Sequence, residues 1–426
     1  MAHPAAQGDL KVVNKKRTGK QPKRSKMPSH LPVEETILEP EIDTTEMEKI
    51  GQYESWKYTV TPPEIKIILT VRPKYKDADG RIHIAELNEA FPKTNFDAAF
   101  VAYMIVQKFL DHLPIYRQMK IFARHGLSFS RSTLNSGVMR GAAKLKLLYE
   151  LLKTRALQSN YLQADESSIP VLTKDKPGST LKGCMLVKLA PKENVVVFDY
   201  IKTKEKVNIL SALDQFSGHL QVDGNVSYET KGRQVDVTLM HCLIHSRRKF
   251  IEAQDYDEQK ASYVLEQISE IYKIERQCKK EGLNPDQIRQ RRQDLAVPFF
   301  DQIKAWLEKN HQPNLPSNPL QKAINYMLKR WNGLVKYTTD GNLLPDNNLI
   351  ENQIRPLALG RKNFMFCGSH NGANMAAILY SFLGTCKLND IDSFQWLIYV
   401  FNHIDDYDIN KLHQLLPLQQ NKHRFQ

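Results

Sequence analysis

Three acidic residues stand where a carboxylate is unexpected, and together they could bind metal ions. Asp165 falls in a stretch, 161–169, that otherwise reads as an apolar strand, where an acid is costly unless it is paired or binds a metal. Asp223 ends another predicted strand, and ligand sites in α/β sheets gather at strand ends. Glu351 lies on a short predicted helix, one turn before Arg355. Carboxylates suit Mg²⁺, a hard cation that prefers oxygen ligands, and Mn²⁺ is expected to substitute for it.

A carboxylate site of this kind would perform phosphodiester chemistry. Two metal ions about 3.5–4 Å apart would activate a water or a DNA 3′-hydroxyl and stabilise the leaving oxygen. Each acid also has a structural interpretation: the strand acid as a hydrogen-bonded group, the acid before Gly224 as part of a turn, and the helix acid as a partner for Arg355. Glu166 and Asp199 compete for the site, but strand alternation predicts Glu166 on the opposite face from Asp165.

Two further clusters combine cations with groups that could act beside the acids. The run 241–250 begins His-Cys and contains His245, which we expect near the carboxylates, followed by three cations expected to contact phosphates: Arg247, Arg248 and Lys249. Zinc is the alternative for this run, but no second Cys or His pair lies within reach. The run 360–364 follows the Glu351 helix and carries Arg361 and Lys362, which suit a DNA backbone. A solvated basic face is the structural alternative for both runs.

The segment between residues 160 and 250 supplies the elements that must position these groups. Dense β-branched residues and turn signals predict three strands, a short helix, a fourth strand and a fifth strand, with these bounds: Tyr161–Leu172, Cys184–Leu189, Val195–Ile201, helix Val207–Leu213, His219–Val222 and Val237–Ile244. This order predicts an α/β fold, a ribonuclease-H-like mixed sheet. In that fold the first and fourth strands are neighbours and a helix packs across them, so the three acids would converge.

A helical pair precedes this sheet and resembles a helix-turn-helix unit. Pro114–Arg124 reads as a helix, Gly126 as its stop, and 131–147 as a second helix that glycines at 137 and 141 weaken. The second helix carries three cations that would contact DNA: Arg131, Arg140 and Lys144. An ordinary helical hairpin is the structural alternative. Further upstream, Tyr58–Thr61 and Ile65–Val71 read as short strands.

Composition favours a nucleic-acid partner and a reducing compartment. The 426 residues carry a formal charge of +13, and basic side chains release counterions when they meet phosphates. Five scattered cysteines form no C-x-x-C pair, which argues against a disulfide framework and a zinc ribbon. No apolar run reaches the length of a membrane span, and the N-terminus shows no secretory h-region. We therefore expect a cytoplasmic protein that acts at the nucleoid and has no membrane partner.

Changes in composition and hydrophobic pattern along the chain predict five regions. They are a basic then acidic flexible tail (1–50), a small strand region with the helical DNA-binding region (51–155), a catalytic core in two pieces (156–254 and 341–366), a helical insertion (255–340) and a C-terminal helical element (367–426). Pro356 is expected to end the Glu351 helix, because proline lacks the amide hydrogen that a helix interior requires.

The run Asp346–Phe364, which contains Leu-Ile-Glu-Asn-Gln-Ile-Arg-Pro-Leu-Ala-Leu-Gly-Arg-Lys-Asn-Phe, closely resembles the signature of the insertion-sequence-66 family of bacterial transposases. Other similar runs lie at His112–Gln118, Asp165–Ser167, Gly218–Tyr228, Cys242–Phe250 and Gly368–Leu388. The resemblance covers roughly residues 20–400.

The resemblance implies an Asp-Asp-Glu transposase with a ribonuclease-H-like core and an inserted helical block. By motif position its three acids are Asp165, Asp223 and Glu351, with His245 and Tyr228 as auxiliary active-site residues. It also implies double-stranded DNA partners, namely terminal inverted repeats and target DNA, and a homodimer or higher oligomer on DNA, with accessory proteins of the same element as possible partners. Members commonly carry paired cysteines before the DNA-binding region and a longer leucine-rich N-terminus. Residues 71–80 contain no cysteine, so no zinc is expected.

The first hypothesis is therefore an active transposase that cleaves DNA at terminal repeats and joins the freed 3′-hydroxyl to target DNA. The second is a catalytically decayed or repurposed DNA-binding relative. The third is a ribonuclease-H-like nuclease that cuts without joining.

Overall fold

The chain divides into two compact units, Met1–Ile84 and Ala85–Gln426. A computed structural model describes residues 65–173 apart from 66, 77, 80, 81, 85 and 86, together with 178–312 and 318–425. The boundary between the two units divides the predicted region 51–155. The expected tail, 1–50, and the expected strand at 58–61 lie outside the described residues.

The described part of the first unit contains one small hairpin. Strand β1 (Lys74–Lys76) pairs antiparallel with β2 (Ile82–Ile84). The strand expected over Ile65–Val71 is wrong, because the described residues of that stretch have no strand pairing. Its apolar side chains are exposed, with Ile67 96% and Leu69 83% accessible, so the alternating pattern has no sheet face to cover.

A five-stranded mixed sheet forms the centre of the second unit, and it confirms the expected α/β class. Its strands are β3 (Tyr161–Leu172), β4 (Thr180–Ala190), β5 (Val195–Ile201), β6 (Gly218–Val222) and β7 (Val237–His241). The order across the sheet is β5-β4-β3-β6-β7. β3, β4 and β5 are antiparallel neighbours, whereas β6 runs parallel to both β3 and β7. The carboxyl end of β6 therefore lies beside the first third of the long strand β3.

Helices surround this sheet. Their bounds are α1 (Ala98–Phe109), α2 (Ile115–Arg124), α3 (Arg131–Lys144), α4 (Lys146–Leu157), α5 (Lys206–Ser211), α6 (Leu243–Gln254), α7 (Glu258–Glu281), α8 (Pro285–Arg291), α9 (Val297–Asn310), α10 (Pro319–Lys329), α11 (Trp331–Val335), α12 (Asn348–Phe364), α13 (His370–Leu388) and α14 (Ser393–His403). A short π-helical turn, Arg292–Ala296, joins α8 to α9. No helix in the described residues is long and apolar enough to cross a membrane.

Two hydrophobic clusters stabilise the unit. The first joins α1–α4, α13 and α14 to the sheet, so the predicted DNA-binding pair and the C-terminal element pack into the same core as the strands. Gly137 and Gly141 bring α3 close to α1, since a Cβ at Gly141 would lie 2.9 Å from both Ile105 and Val101 side chains. The second cluster belongs to the helical insertion and includes Leu243 and Phe250 of α6.

The helix that carries Glu351 runs well past its expected end. α12 extends from Asn348 to Phe364 with Pro356 inside it, so the expected stop before Pro356 is wrong. Proline removes one helical hydrogen bond, to the carbonyl of Asn352 four residues earlier. Asn352 is exposed, so water can satisfy that carbonyl while Leu357 and Gly360 stay buried on the inner face.

Candidate active site

Strand register brings two of the three predicted acids together. In the parallel pairing of β3 with β6, Gln163 lies opposite Gln221. Asp165 and Asp223 each follow two residues later on the same face of the chain, because strand side chains alternate. Asp165 is accordingly influenced by the charge of Asp223 more than by that of any other acid.

Two buried glutamines fix the third acid relative to the first two. Gln163 donates to Gln221 Oε1 (2.9 Å) and to the carbonyl of Asp346 (3.0 Å), and its Oε1 accepts from the amide of Ile350 (3.3 Å). These bonds hold the start of α12 against β3, so Glu351 lies over the sheet beside the aspartates. Sequence reasoning missed both glutamines, although each is a polar residue two positions before an acid in an apolar strand.

The far end of α12 is also tied to β3. Cys367 donates from its amide to the Pro170 carbonyl (2.8 Å), and Leu172 donates to the Cys367 carbonyl (2.9 Å). The Arg361 guanidinium donates to Ser167 Oγ (3.0 Å) and to the Ser168 carbonyl (2.5 Å). The helix is therefore held across the strand at both ends.

The acids form an unneutralised group. Burial, and then the charge of Asp223, raise the pKa of Asp165 to about 7. The side chain of Glu351 is 35% exposed and lies 3.9 Å from His245 Nε2. In the part of the chain that the structure describes, no Lys or Arg forms an ion pair with any of the three acids. An added cation would relieve their mutual repulsion.

This donor set fits a hard divalent ion in its chemistry. The oxygens of three carboxylates are the ligands that Mg²⁺ takes, with waters filling the other positions. Among the described residues, however, no three His, Cys, Asp or Glu side chains already lie close enough to hold a metal together. Asp165 and Asp223 lie on adjoining strands and Glu351 on the helix held against them, so these three residues are the ones that would hold the ion.

The auxiliary residues lie on two sides of the acids. The His245 ring contacts Glu351, and burial lowers its pKa although Asp223 and Glu351 favour the charged form. Tyr228 is fully buried, and burial followed by the charge of Glu166 holds its pKa well above the usual value. Neither the Tyr228 hydroxyl nor Glu166 Oε1 has a hydrogen-bond partner within the described residues.

The two competing acids have other contacts. Glu166 was expected outside the site, yet its Oε2 accepts from Asn225 Nδ2 (3.1 Å), and the Asn225 amide donates to Asp223 Oδ1 (2.9 Å). Glu166 thus supports the turn that carries Asp223. Asp199 pairs with the buried ammonium of Lys188 and with Lys153 (3.3 Å); burial opposes its ionisation, but these cations hold its pKa low. Asp199 is therefore a structural residue.

Some of the predicted DNA-contacting cations are exposed, whereas others form hydrogen bonds or ion pairs within the chain. Exposed side chains belong to Arg131, Arg247, Arg248, Arg355 and Lys362. Lys249 is half-buried and pairs with Glu252 (2.7 Å), an exposed ion pair of small energetic weight.

Three other predicted cations make contacts within the chain. Arg361 is hydrogen-bonded to β3, as described above, which gives it a structural role, and its expected phosphate contact stays a prediction. The Lys144 ammonium donates to the Ala90 carbonyl (2.9 Å) and pairs with Asp405. Arg140 is exposed but donates to the Pro92 carbonyl (3.0 Å). The exposed face of α3 is thus left with Arg131 and, in part, Arg140.

Replacing Asp165 by Asn should stabilise the metal-free protein at alkaline pH. The folded-state pKa of Asp165 is raised to about 7, above the unfolded value of about 4. Its stabilising protonation is complete below about pH 4 and is lost as the pH rises through about 7. Because Asn resembles the protonated form, the gain in melting temperature should be several degrees at pH 8 and smaller at pH 5. Thermal melts in EDTA measure this, and exposed Asp236→Asn is the control. Equal melting temperatures at pH 8 would show that Asp165 is not destabilised by ionisation.

Replacing Arg361 by Ala should lower the free energy of unfolding, because two hydrogen bonds to β3 are lost. Charge-assisted bonds of this kind contribute about 1.5–3 kcal/mol. Lys362→Ala, one residue away and exposed, should leave unfolding unchanged. Urea titration measures both, and equal stability of the two variants would remove the structural role assigned to Arg361.

A mixed sheet with many helices and carboxylates at adjoining strands is compatible with the transposase fold. The chain belongs to the IS66 transposase family, because residues 93–375 match the model described as "Transposase IS66 family" and residues 381–418 match the IS66 C-terminal element. This confirms the resemblance seen in the sequence. The family is that of an insertion sequence, a mobile element, and it implies DNA as a partner.

Three uncharacterized proteins are also similar to this chain. The chain is 30% identical to the uncharacterized protein y4jD of Sinorhizobium fredii, over 92% of this chain and 81% of that protein. It is 28% identical to y4hP of the same organism, over 94% and 77% respectively. A shorter match, 44% identical over 48 residues, is to the uncharacterized protein YuaK of Escherichia coli and covers 11% of this chain.

Proposed function

We propose that this protein is an active transposase that cleaves DNA at the terminal inverted repeats of its insertion sequence and transfers the freed 3′-hydroxyl to target DNA, using Mg²⁺. The observation that carries the proposal is the placement of Asp165 beside Asp223 on adjacent strands, under the helix that bears Glu351. Burial, and then the charge of Asp223, raise the pKa of Asp165 to about 7, so a bound cation would favour its ionised form.

The strand order supports a ribonuclease-H-like core. Three antiparallel strands are followed by two strands parallel to the first, in the order β5-β4-β3-β6-β7. That order sets the first and fourth strands of the core side by side, and the acids come from those two strands and from the helix that crosses them.

The chain's own groups have distinct parts in this proposal. Asp165, Asp223 and Glu351 would hold the metal ions, which supply activation of the attacking oxygen and stabilisation of the leaving one. Arg247 and Arg248 extend from the second turn of α6, two and three residues after His245, and would bind phosphates beside the site. Neutral His245 can accept a proton next to Glu351, since its pKa is lowered.

Recognition of the terminal repeats is assigned to the α2–α3 pair. Its second helix presents Arg131 and Arg140 on an exposed face, as a helix-turn-helix reader would. A homodimer or higher oligomer would synapse two element ends, with accessory proteins of the same element as further partners. Such a protein would act at the nucleoid in the cytoplasm.

The test uses a plasmid that carries the coding sequence with its flanking DNA. With Mg²⁺, the purified protein should cut at discrete positions flanking the gene and join a pre-cleaved end to a second plasmid. Cutting without joining would identify a nuclease instead. Specific binding with neither reaction would identify a DNA-binding relative that has lost catalysis.

A further inference from the structure

The helical insertion reaches the active site at the turn that carries Asp223. Tyr326 of α10 donates its hydroxyl to the Asp223 carbonyl (2.5 Å), and Arg330, the next residue after α10, donates to the Gly224 carbonyl (2.6 Å). The guanidinium of Arg330 also stacks on the Tyr326 ring, 4.0 Å from its centroid. Two consecutive carbonyls of this turn are thus held by one pair of side chains.

Gly224 shows how closely these side chains fit. Its φ of +101° belongs to the region that favours glycine, and a Cβ there would lie 2.2 Å from Arg330 Nε and 2.9 Å from the Tyr326 hydroxyl. Glycine at this position therefore lets Arg330 and Tyr326 pack directly against the turn. Since the Asp223 side chain leaves the same turn, its direction depends on that conformation.

A second contact joins the insertion to the start of α12. Tyr272 of α7 donates its hydroxyl to Asp346 Oδ2 (2.9 Å), while Asp346 Oδ1 accepts from the amide of Asn348 (3.0 Å). Asp346 thereby holds the first turn of α12, where Glu351 lies. The insertion thus contacts the backbone segments that carry two of the three acids.

The contacts come from a rigid base. α7 and α10 bury their apolar faces in the hydrophobic cluster of the insertion, through residues such as Ile268 and Ile324. The same cluster includes Leu243 and Phe250 of α6, the helix that bears His245. Hydroxyl and guanidinium groups held by packed helices can orient a turn that carries a metal ligand more firmly than groups on a loop can.

We propose that Tyr326, Arg330 and Tyr272 are positioning residues through which the helical insertion sets the geometry of Asp223 and Glu351. This inference rests on the proposed function for its catalytic meaning. They act on the backbone that carries the proposed metal ligands, and loss of such supporting contacts typically weakens metal affinity 10–100-fold.

Conservative variants test the proposal without removing packing. Tyr326→Phe deletes only the hydroxyl that reaches Asp223, and Arg330→Lys keeps a charge but loses the planar fork. Tyr263→Phe, in the same insertion, and exposed Lys329→Ala are the controls. Three measurements apply to each variant: Mn²⁺ affinity by electron paramagnetic resonance, amide hydrogen exchange of residues 222–228, and cleavage rate against Mg²⁺ concentration.

Tyr326→Phe and Arg330→Lys should weaken Mn²⁺ binding about tenfold and speed exchange in 222–228, while the controls match the wild type. Cleavage should need correspondingly more Mg²⁺ and should recover at saturating metal. Wild-type Mn²⁺ affinity and exchange in both variants would overturn the proposal. So would an equal increase in exchange throughout the unit, because that would indicate general destabilisation.

The exchange measurement separates this inference from the proposed function. Faster exchange at 222–228 in the two variants, with a wild-type protein that cleaves no DNA, would uphold the positioning role and defeat the transposase proposal. Normal exchange in both variants, with a wild-type protein that cleaves well, would do the reverse.

Discussion

Asp223→Asn should abolish DNA cleavage while leaving DNA binding and folding almost unchanged. The amide keeps the size of the side chain but removes the charge that a divalent ion requires, and binding comes mainly from phosphate contacts elsewhere. We expect a loss of about 10²–10³-fold or more, as for removal of a main electrostatic contributor. Asp165→Asn and Glu351→Gln should reduce cleavage similarly, although Asp165→Asn should also raise the melting temperature of the metal-free protein at alkaline pH. A time course of plasmid cleavage, with a parallel binding titration, measures both properties.

Asp236→Asn is the matched control, because Asp236 is an exposed acid that directly precedes β7 of the same sheet. Glu166→Gln should fall between the control and the site variants, since Glu166 supports Asp223 only through Asn225. Full cleavage by Asp223→Asn would remove this residue from the catalytic set. A loss of DNA binding equal to the loss of cleavage would assign Asp223 a structural role instead.

Removing divalent ions should have an equally large effect. EDTA should stop cleavage, and Mg²⁺ or Mn²⁺ should restore it, because both accept octahedral oxygen ligands. Ca²⁺ should permit binding with little cleavage, because its larger and irregular shell positions the reacting oxygen poorly. A zinc-selective chelator should change neither the melting temperature nor the activity measured in Mg²⁺.

Two outcomes would contradict this expectation. Unfolding after zinc chelation would reveal a structural metal site, most plausibly around His241, Cys242 and His245. Cleavage with zinc alone and none with Mg²⁺ would contradict a carboxylate mechanism.

Local patterns predicted the strands of the sheet well, because strand formation depends strongly on neighbours in sequence. Val195–Ile201 is a run of β-branched and aromatic residues, and its predicted bounds match those of β5. Asp165 and Asp223 could be singled out because a charge in or at the end of an apolar strand is conspicuous. The alternating apolar residues at Ile65–Val71 wrongly predicted a strand, because the described residues of this stretch have no partner strand.

Interactions between distant segments could not be predicted in the same way. Lys144 lies on a predicted helix and Arg361 in a run predicted to follow one, but their partners, Asp405 and the β3 backbone, lie far away in sequence. Tyr326 and Arg330 looked like ordinary residues of a charged helix. Their contacts depend on how the insertion packs on the sheet, and the local spacing of apolar residues does not predict that packing.

The most direct test of the three-acid site is the position of bound metal. A crystal of the wild-type protein with Mn²⁺ should show anomalous peaks with oxygens of Asp165, Asp223 and Glu351 within about 2.0–2.3 Å. Asp223→Asn crystals treated identically should lose the peak or most of its occupancy. A well-occupied peak that contacts none of these carboxylates, or an unchanged peak in the variant, would contradict the assignment of the active site.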